Sequence, residues 1–462
     1  MSENFLKKLV FPSYLLIWLL LSVFVGFHHE PFADEAQSYL IARDTSIADL
    51  ISKVARTEGA PLLWFLWLKL CILLGLSYKY IYLTSIIPSF AGVSLFVYKA
   101  PFSWIVRLLF PLTYFILYQY NIIARGYSLI FLFICLSAIY YQKRKECKWQ
   151  YLIILMLLGE ITLYTFVLSC GIFALGIFED LLKKEKICKS AILIFVIYII
   201  STIIMMYPSA ENQYLTILLY NETLIKRKII RALSNGLITY SGYDFKNIEM
   251  LLLGFLYFTL LIVEIGRTYF KETIFLLLPL ILVSCFVYKV WHSGIIILTI
   301  LYILWICHDK KIKSLLKILM SILFIIQIWW SVYAIKTDLK ESYSAGKAAY
   351  TFLKDKNIDI SNALFLQFNS ISVCPYDNST KCSYWDWNKD SFAKHFDIQE
   401  LSKYDAFIIN QSRYRVKTYK WEEIQQQFNF KVKKFEALHF IALKEMIADE
   451  TLYVFYRDNA NE

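Results

Sequence analysis

From about Leu9 to about Lys336 the chain is a succession of apolar runs, each about 17 to 22 residues long, joined by short polar links. A helix of that length matches the hydrocarbon thickness of a bilayer, and its repetition leaves little room for anything but a bundle of membrane-spanning helices. Composition agrees, since 58% of the 462 residues are hydrophobic and 18% aromatic, against only 14 Gly and 9 Pro. The net charge of +11 would suit a nucleic-acid partner. Lys and Arg, however, gather in the links between apolar runs, which is the pattern of cytoplasmic loops and argues against nucleic acid.

Those links set the expected topology. The first run, about 9–27, follows Lys7-Lys8 and enters from the cytoplasm; Phe24-Val25-Gly26-Phe27 is a poor signal-peptidase site, so the run is read as an anchor. The basic links 143–148, 181–186, 266–272 and 307–313 belong inside, and Lys99 and Arg107 bracket another inner turn. The segment 208–247, the turn at Trp291-His292 and everything after about Lys336 then lie outside, with Arg125 at an outer helix end. Residues 60–98 hold two apolar runs but fit one crossing, at about 80–98. Residues 61–75 form a helix at the outer interface, where Trp64 and Trp67 suit the depth. Letting both runs span would move Arg125 inside, at the cost of a later run that fails to cross.

The expected fold is therefore an all-α polytopic membrane protein of about eleven spans over residues 1–340. Residues 341–462 form a small extracytoplasmic α/β domain, and the membrane is the inner (plasma) membrane of a bacterium. That domain opens on the amphipathic SAGKAAYTFLKDK and continues in short strand-like runs, ALFLQF, YDAFIIN, the alternation around His439 to Leu443, and TLYVFYR. Cys374 and Cys382 lie in it and could pair as a disulfide in an oxidising compartment.

The polar stretch His28 to Pro61, within a first outer loop of 28–79, carries the residues best suited to chemistry. Asp34-Glu35 places two carboxylates just outside a span, where charge is costly to desolvate and marks a functional candidate. Glu58 precedes Ala60-Pro61 at the next apolar segment, and Tyr39 to Ala55 has the spacing of an interfacial helix. His28 and His29 with Glu35 could hold a divalent ion, although no zinc-enzyme spacing is present and histidines beside headgroups fit as well. Arg125 is read either as a phosphate ligand or as a side chain snorkelling to lipid. Lys226, Arg227, Lys228 and Arg231 form a basic segment on the outer side, suited to an anionic headgroup. His292 is more often packing than catalysis in such a turn.

Taken in order, FADEAQSYLIARD, TEGAPLLWFL, IIARGYSLIF and VWHSGIIIL before a final span resemble the integral-membrane GT-C glycosyltransferases, in the branch of protein O-mannosyltransferases and bacterial aminoarabinose transferases. The resemblance covers about residues 10–335. It implies a polyprenyl-phosphate-linked sugar donor, an acceptor that is a lipid, glycan or protein of the cell envelope, and a catalytic acid in the first outer loop. By that resemblance Asp34 is the loop acid and Glu35 its neighbour. Glu58 with Pro61 matches an acidic residue before a proline, and Arg125 with Tyr127 matches an Arg-x-Tyr element. Ala60 stands where relatives often have a first proline, and Leu83-Thr84 where they often have an arginine.

The residue types suit that chemistry. A polyprenyl phosphate leaves without a general acid but needs positive charge to meet the developing anion. One carboxylate can take the acceptor's proton, and attack opposite the leaving group inverts the anomeric carbon. The site expected is catalytic Asp34 and Glu35, with Glu58, Arg125, Tyr127, Lys226, Arg227, Lys228, Arg231 and His292 binding substrate. A polysaccharide polymerase or ligase, or a transporter of lipid-linked sugars, is the alternative. A transporter would show internal repeats and polar, broken helices at the membrane midplane, and no repeat is evident.

Overall fold

The structure, a computed structural model, describes residues 3–207, 222–234, 236–239, 247–366, 368–377, 398–410, 420–441 and 445–457. Among these, six helices are long and apolar enough to cross a membrane: Glu3–His28, Tyr78–Lys99, Leu163–Leu182, Lys189–Met206, Ile248–Thr268 and Ser314–Lys340. Shorter apolar helices span Leu63–Leu73, Tyr127–Tyr141, Lys148–Gly159 and Val290–Ile306. Several long helices turn large apolar side chains outward, for example Ile17, Leu20, Ile197 and Ile325. In water such a surface would be costly, and against lipid it is the favoured one. Six is fewer than the sequence suggested. The apolar stretch after Ser103 is one reason, because Pro111 and the turn at Thr113 cut it into Trp104–Leu109, Phe110–Leu112 and Phe115–Gln119.

The basic links gather on one face. Arg144 binds Asp180 at 2.7 Å and Glu179 at 3.4 Å, Lys271 also reaches Glu179, and Lys310 reaches Glu272 at 3.3 Å. Gln142 donates to the Ile306 carbonyl at 2.9 Å. With the Lys145–Glu185 ion pair, these contacts bring together the four basic links expected to lie inside. Arg107 binds Glu3 at 3.3 Å, so the 99–104 turn shares its face with the amino terminus.

The first loop folds differently from expectation. Its helix runs Ala33–Asp44 and is largely buried, with Ala33, Glu35, Ala36, Leu40 and Ile41 facing inward. The chain then breaks at Thr45-Ser46, where the Ser46 hydroxyl accepts the Asp49 N–H at 3.1 Å and starts a second helical stretch over 47–58. The interfacial helix expected over Tyr39 to Ala55 is thus two helices, and the first packs as core. Beneath it, Leu63–Leu73 is about 16 Å long at 1.5 Å per residue, too short to span. Lys69 donates to the Ala42 and Thr45 carbonyls at 2.9 and 2.7 Å and so completes the end of the loop helix.

The carboxyl-terminal segment forms a four-stranded sheet, β1 (Ala363–Leu366), β2 (Ala406–Asn410), β6 (Leu452–Tyr456) and β3 (Lys431–Phe435) in that spatial order. β1 and β2 are parallel and the other pairings antiparallel. A hairpin of β4 (His439–Ile441) and β5 (Glu445–Ile447) stands apart, and helices Gly346–Asp355 and Trp421–Phe428 complete the unit. Phe407 stacks on Phe455 at 4.3 Å in a core shared with Trp421 and Ile424. Cys374 is disulfide-bonded; Cys382 lies outside the described residues. This unit rests on the loop helix through the segment Phe368–Tyr376, with Tyr376 edge-on to Tyr78 at 5.0 Å.

Candidate functional site

Asp34 and Glu35 sit in the first turn of the loop helix, where the helix N-terminus favours negative charge. Their side chains part. Glu35 is fully buried and its carboxylate accepts the Ala124 N–H at 2.6 Å, the Phe32 N–H at 3.0 Å and His29 Nε2 at 3.1 Å. Asp34, about a quarter exposed, meets Arg125 Nη1 at 3.1 Å through Oδ2 and at 3.0 Å through its carbonyl oxygen. Adjacent acids thus grip adjacent residues of the 120–126 segment. Glu35 fixes the backbone at Ala124, which sets the Arg125 guanidinium beside Asp34. Glu35 is a positioning residue here, with no free face for substrate, and this corrects its expected catalytic part.

His29 closes the buried end of the arrangement. Its Nδ1 donates to Asp338 Oδ2 at 2.9 Å, so the imidazolium bridges Glu35 to the end of the last long helix. Burial alone would lower its pKa, but the Asp338 and Glu35 carboxylates outweigh that and raise it to about 10. An imidazolium between two buried carboxylates is a salt bridge and not a ligand set. His28, one residue earlier, is exposed and bonds the Phe24 carbonyl at 2.8 Å. Among the described residues no group of three or more His, Cys, Asp or Glu is arranged to hold a metal. The divalent-ion reading of His28, His29 and Glu35 is therefore set aside.

His29→Gln is expected to destabilise the protein by about 3–5 kcal/mol, because it leaves two buried carboxylates without their cation. Because the folded pKa is raised, the His29 contribution is complete below about 6.5 and fades as pH rises through about 10. Thermal unfolding in detergent should show a wild-type advantage at pH 7 that narrows towards pH 10. An advantage that grows with pH would contradict this assignment.

Beside the acid–arginine pair lies a cavity of about 200 Å³, lined by Glu58, Trp64, Arg125, Tyr127, Tyr164 and His292 among others. Four residues singled out from the sequence as substrate-binding, Glu58, Arg125, Tyr127 and His292, come together in its wall although they are spread over more than half the chain. Gly126 lets the Arg125 segment pass close to Trp64, since a Cβ there would stand 3.1 Å from Trp64 Cβ. Tyr127 stacks on Tyr120 at 5.2 Å, and its hydroxyl lies 3.1 Å from His292 Nε2. The Tyr164 ring covers His292 at 4.2 Å. The other His292 nitrogen faces the Val287 carbonyl at 3.0 Å, so this histidine is held between partners as packing would hold it.

Glu58 accepts Gln37 Nε2 at 3.0 Å and turns its remaining surface to the cavity. Burial, with the nearby Asp34 charge, pushes its carboxyl up to about 7 against the pull of Arg125. A proton held more tightly in the folded than in the unfolded chain makes this group costly as pH rises from about 4.5 to about 7. Glu58→Gln should therefore flatten the fall in unfolding temperature over that window. An unchanged slope would place the titration elsewhere.

The basic helix Glu222–Ser234 packs against Leu278–Phe286 and Ile248–Thr268. It brings Lys228 near Lys289, three residues before His292; burial and the Lys289 charge lower the Lys228 pKa. Lys226 and Arg227 are exposed, and neither they nor Arg231 belong to the cavity wall. Several contributors were not singled out in the sequence. Tyr164 and Gln37 carry no motif. Glu450 ties the carboxyl-terminal unit to the loop helix by accepting the Ala33 N–H at 3.3 Å and Asn369 Nδ2 at 2.6 Å. Burial raises the Glu450 pKa well above the carboxylate range. Compared with known proteins, the chain matches no family model, no curated protein and no solved structure.

Proposed function

We propose that the protein is a glycosyltransferase that moves a sugar from a polyprenyl-phosphate donor to an acceptor hydroxyl at the outer face of the membrane. The observation that carries this reading is the Asp34–Arg125 pair, whose arginine lines a cavity together with Glu58, Tyr127 and His292 while Asp34 stands just behind it. A carboxylate and a guanidinium in contact supply the two functions the reaction needs, a base for the acceptor and positive charge for the leaving phosphate.

In the free protein each occupies the other. A donor phosphate would compete for the Arg125 guanidinium, a fork that suits phosphate as well as carboxylate, and so release Asp34. The acceptor hydroxyl gives its proton to Asp34 while its oxygen bonds to the anomeric carbon. The bond from that carbon to the phosphate oxygen breaks with its electron pair, and polyprenyl phosphate leaves with inversion. Donor binding thereby arms the base only when the sugar to be transferred is in place. Glu35 and His29 hold the geometry.

The GT-C-like fold and its finer topology belong to the same reading. With Tyr127–Tyr141, Lys148–Gly159, Val290–Ile306, the broken 104–124 pass and the 270–286 stretch added to the six long helices, and the short Leu63–Leu73 left out, the chain makes eleven passes between the face of the basic links and the face of Asp34. The carboxyl-terminal unit then lies outside with Asp34 and Arg125. The test is donor consumption: purified protein given a polyprenyl-phosphate sugar and membrane lipid should release polyprenyl phosphate in step with glycosylated acceptor. Intact donor appearing in the opposite leaflet, with no release, would favour a transporter.

A further inference from the structure

At the other end of the helices that frame the Arg125 cavity, a second cavity of about 300 Å³ opens beside the basic links. Tyr164 lines the first cavity and Asp180 the second, and they lie on one helix about 24 Å apart at 1.5 Å per residue. The second wall holds Arg144, Lys145, Lys148 and Lys186 against a single carboxylate, Asp180. Asp180 is already engaged, by Arg144 at 2.7 Å and Lys145 at 3.7 Å. Glu185 also pairs with Lys145 and Glu179 with Arg144, whereas Lys148 and Lys186 form no ion pair among the described residues, so the excess positive charge of the cavity rests on these two lysines.

Two buried polar atoms point to what fills it. Arg144 Nε and the Tyr151 hydroxyl have no hydrogen-bond partner among the described residues, although Tyr151 is only 4% exposed. Both approach Gly176, where a Cβ would stand 3.4 Å from Arg144 Nε and 3.7 Å from the Tyr151 oxygen. Leaving such groups unpaired costs about 1–3 kcal/mol each, so a bound acceptor is the expected remedy. The third element is the start of helix Lys189–Met206, whose first residues Ala191 and Ile192 line the cavity and whose cap residue, Cys188, makes no side-chain capping bond. Guanidinium, ammonium, phenol and helix N-terminus are all donors, and together they suit a multiply charged oxyanion.

We propose that this cavity binds the phosphate of an anionic ligand, on the face the loop charges assign to the cytoplasm. The same chemistry could be met by a phospholipid headgroup or by a soluble phosphate. The apolar remainder of the wall, Leu152, Phe173 and Ile177, favours the lipid, and basic pockets between spanning helices commonly take anionic headgroups. This inference stands apart from the glycosyl-transfer reading.

Cys188, partly exposed in the wall, is a native reporter. The full-length protein in nonionic detergent would be titrated with dioctanoylphosphatidylglycerol, inorganic phosphate or dioctanoylphosphatidylcholine, and maleimide labelling of Cys188 followed by peptide mass spectrometry. Each variant is scaled to its own unliganded rate. Phosphatidylglycerol should protect Cys188, and Lys148→Ala with Lys186→Ala should raise the half-protecting concentration about 30-fold, at about 1 kcal/mol per lysine. Tyr151→Phe should raise it several-fold. Protection by phosphatidylglycerol alone assigns the lipid, and protection by inorganic phosphate at similar concentration assigns a soluble ligand. Protection by neither, equal protection by phosphatidylcholine, or variants with wild-type affinity would overturn the proposal.

Discussion

Asp34→Asn is expected to lower glycosyl transfer by about 10²–10⁴-fold, the usual worth of a general base. Asn keeps the size of the carboxylate and a hydrogen-bonding oxygen but cannot take a proton at neutral pH. Expression and thermal stability should change little, because Asp34 is about a quarter exposed and its pair with Arg125 is only partly buried. Donor affinity should hold or improve, since the amide competes less strongly than the carboxylate for the Arg125 guanidinium. Glu35→Gln should behave differently. Its buried carboxylate accepts three donors, so the expected loss is first in stability and in the placement of Arg125. A Glu35→Gln protein that folds as well as wild type yet is the less active of the two would exchange the roles.

Arg125→Gln is expected to weaken donor use by about 1.5–3 kcal/mol, or about 10- to 150-fold in kcat/KM for the donor. The charge-assisted phosphate contact is lost, and Asp34 loses the partner that occupies it before the donor binds. The coupling makes a second expectation. If donor binding works by drawing Arg125 away from Asp34, Asp34→Asn and Arg125→Gln should not be additive, because the two residues share one interaction. Measured effects on kcat/KM that simply multiply would mean the pair is an ordinary surface ion pair.

What the sequence made legible follows from which signals are local. The lipid-facing helices were readable, because apolar length is written in consecutive residues. The Asp34–Arg125 contact puts these two residues together, as the expected common side of Asp34 and Arg125 requires. The role of Glu35 was not readable, because it depends on a backbone N–H at Ala124. Nor was that of His29, whose partner Asp338 lies on the last long helix. In the carboxyl-terminal unit, β1, β2, β4 and β6 were expected as strand-like runs, but β5 and β3 were missed; β3 is the more instructive. Its sequence KVKKF is an exposed edge strand, where lysines discourage further pairing and dilute the apolar signal.

The alternatives of a polymerase or a transporter of lipid-linked sugars would also use outer basic residues and aromatic side chains. Only the transporter differs over Asp34, since a polymerase also transfers a sugar to a hydroxyl. A transporter has no need of a base there, whereas transfer to a hydroxyl does. The most direct measurement is therefore donor binding and donor consumption, side by side, for wild type and Asp34→Asn with a polyprenyl-phosphate sugar. Both proteins are expected to bind the donor, and only wild type to convert it to polyprenyl phosphate at an appreciable rate. Equal consumption by both, or binding and movement of intact donor by wild type without cleavage, would contradict the mechanism.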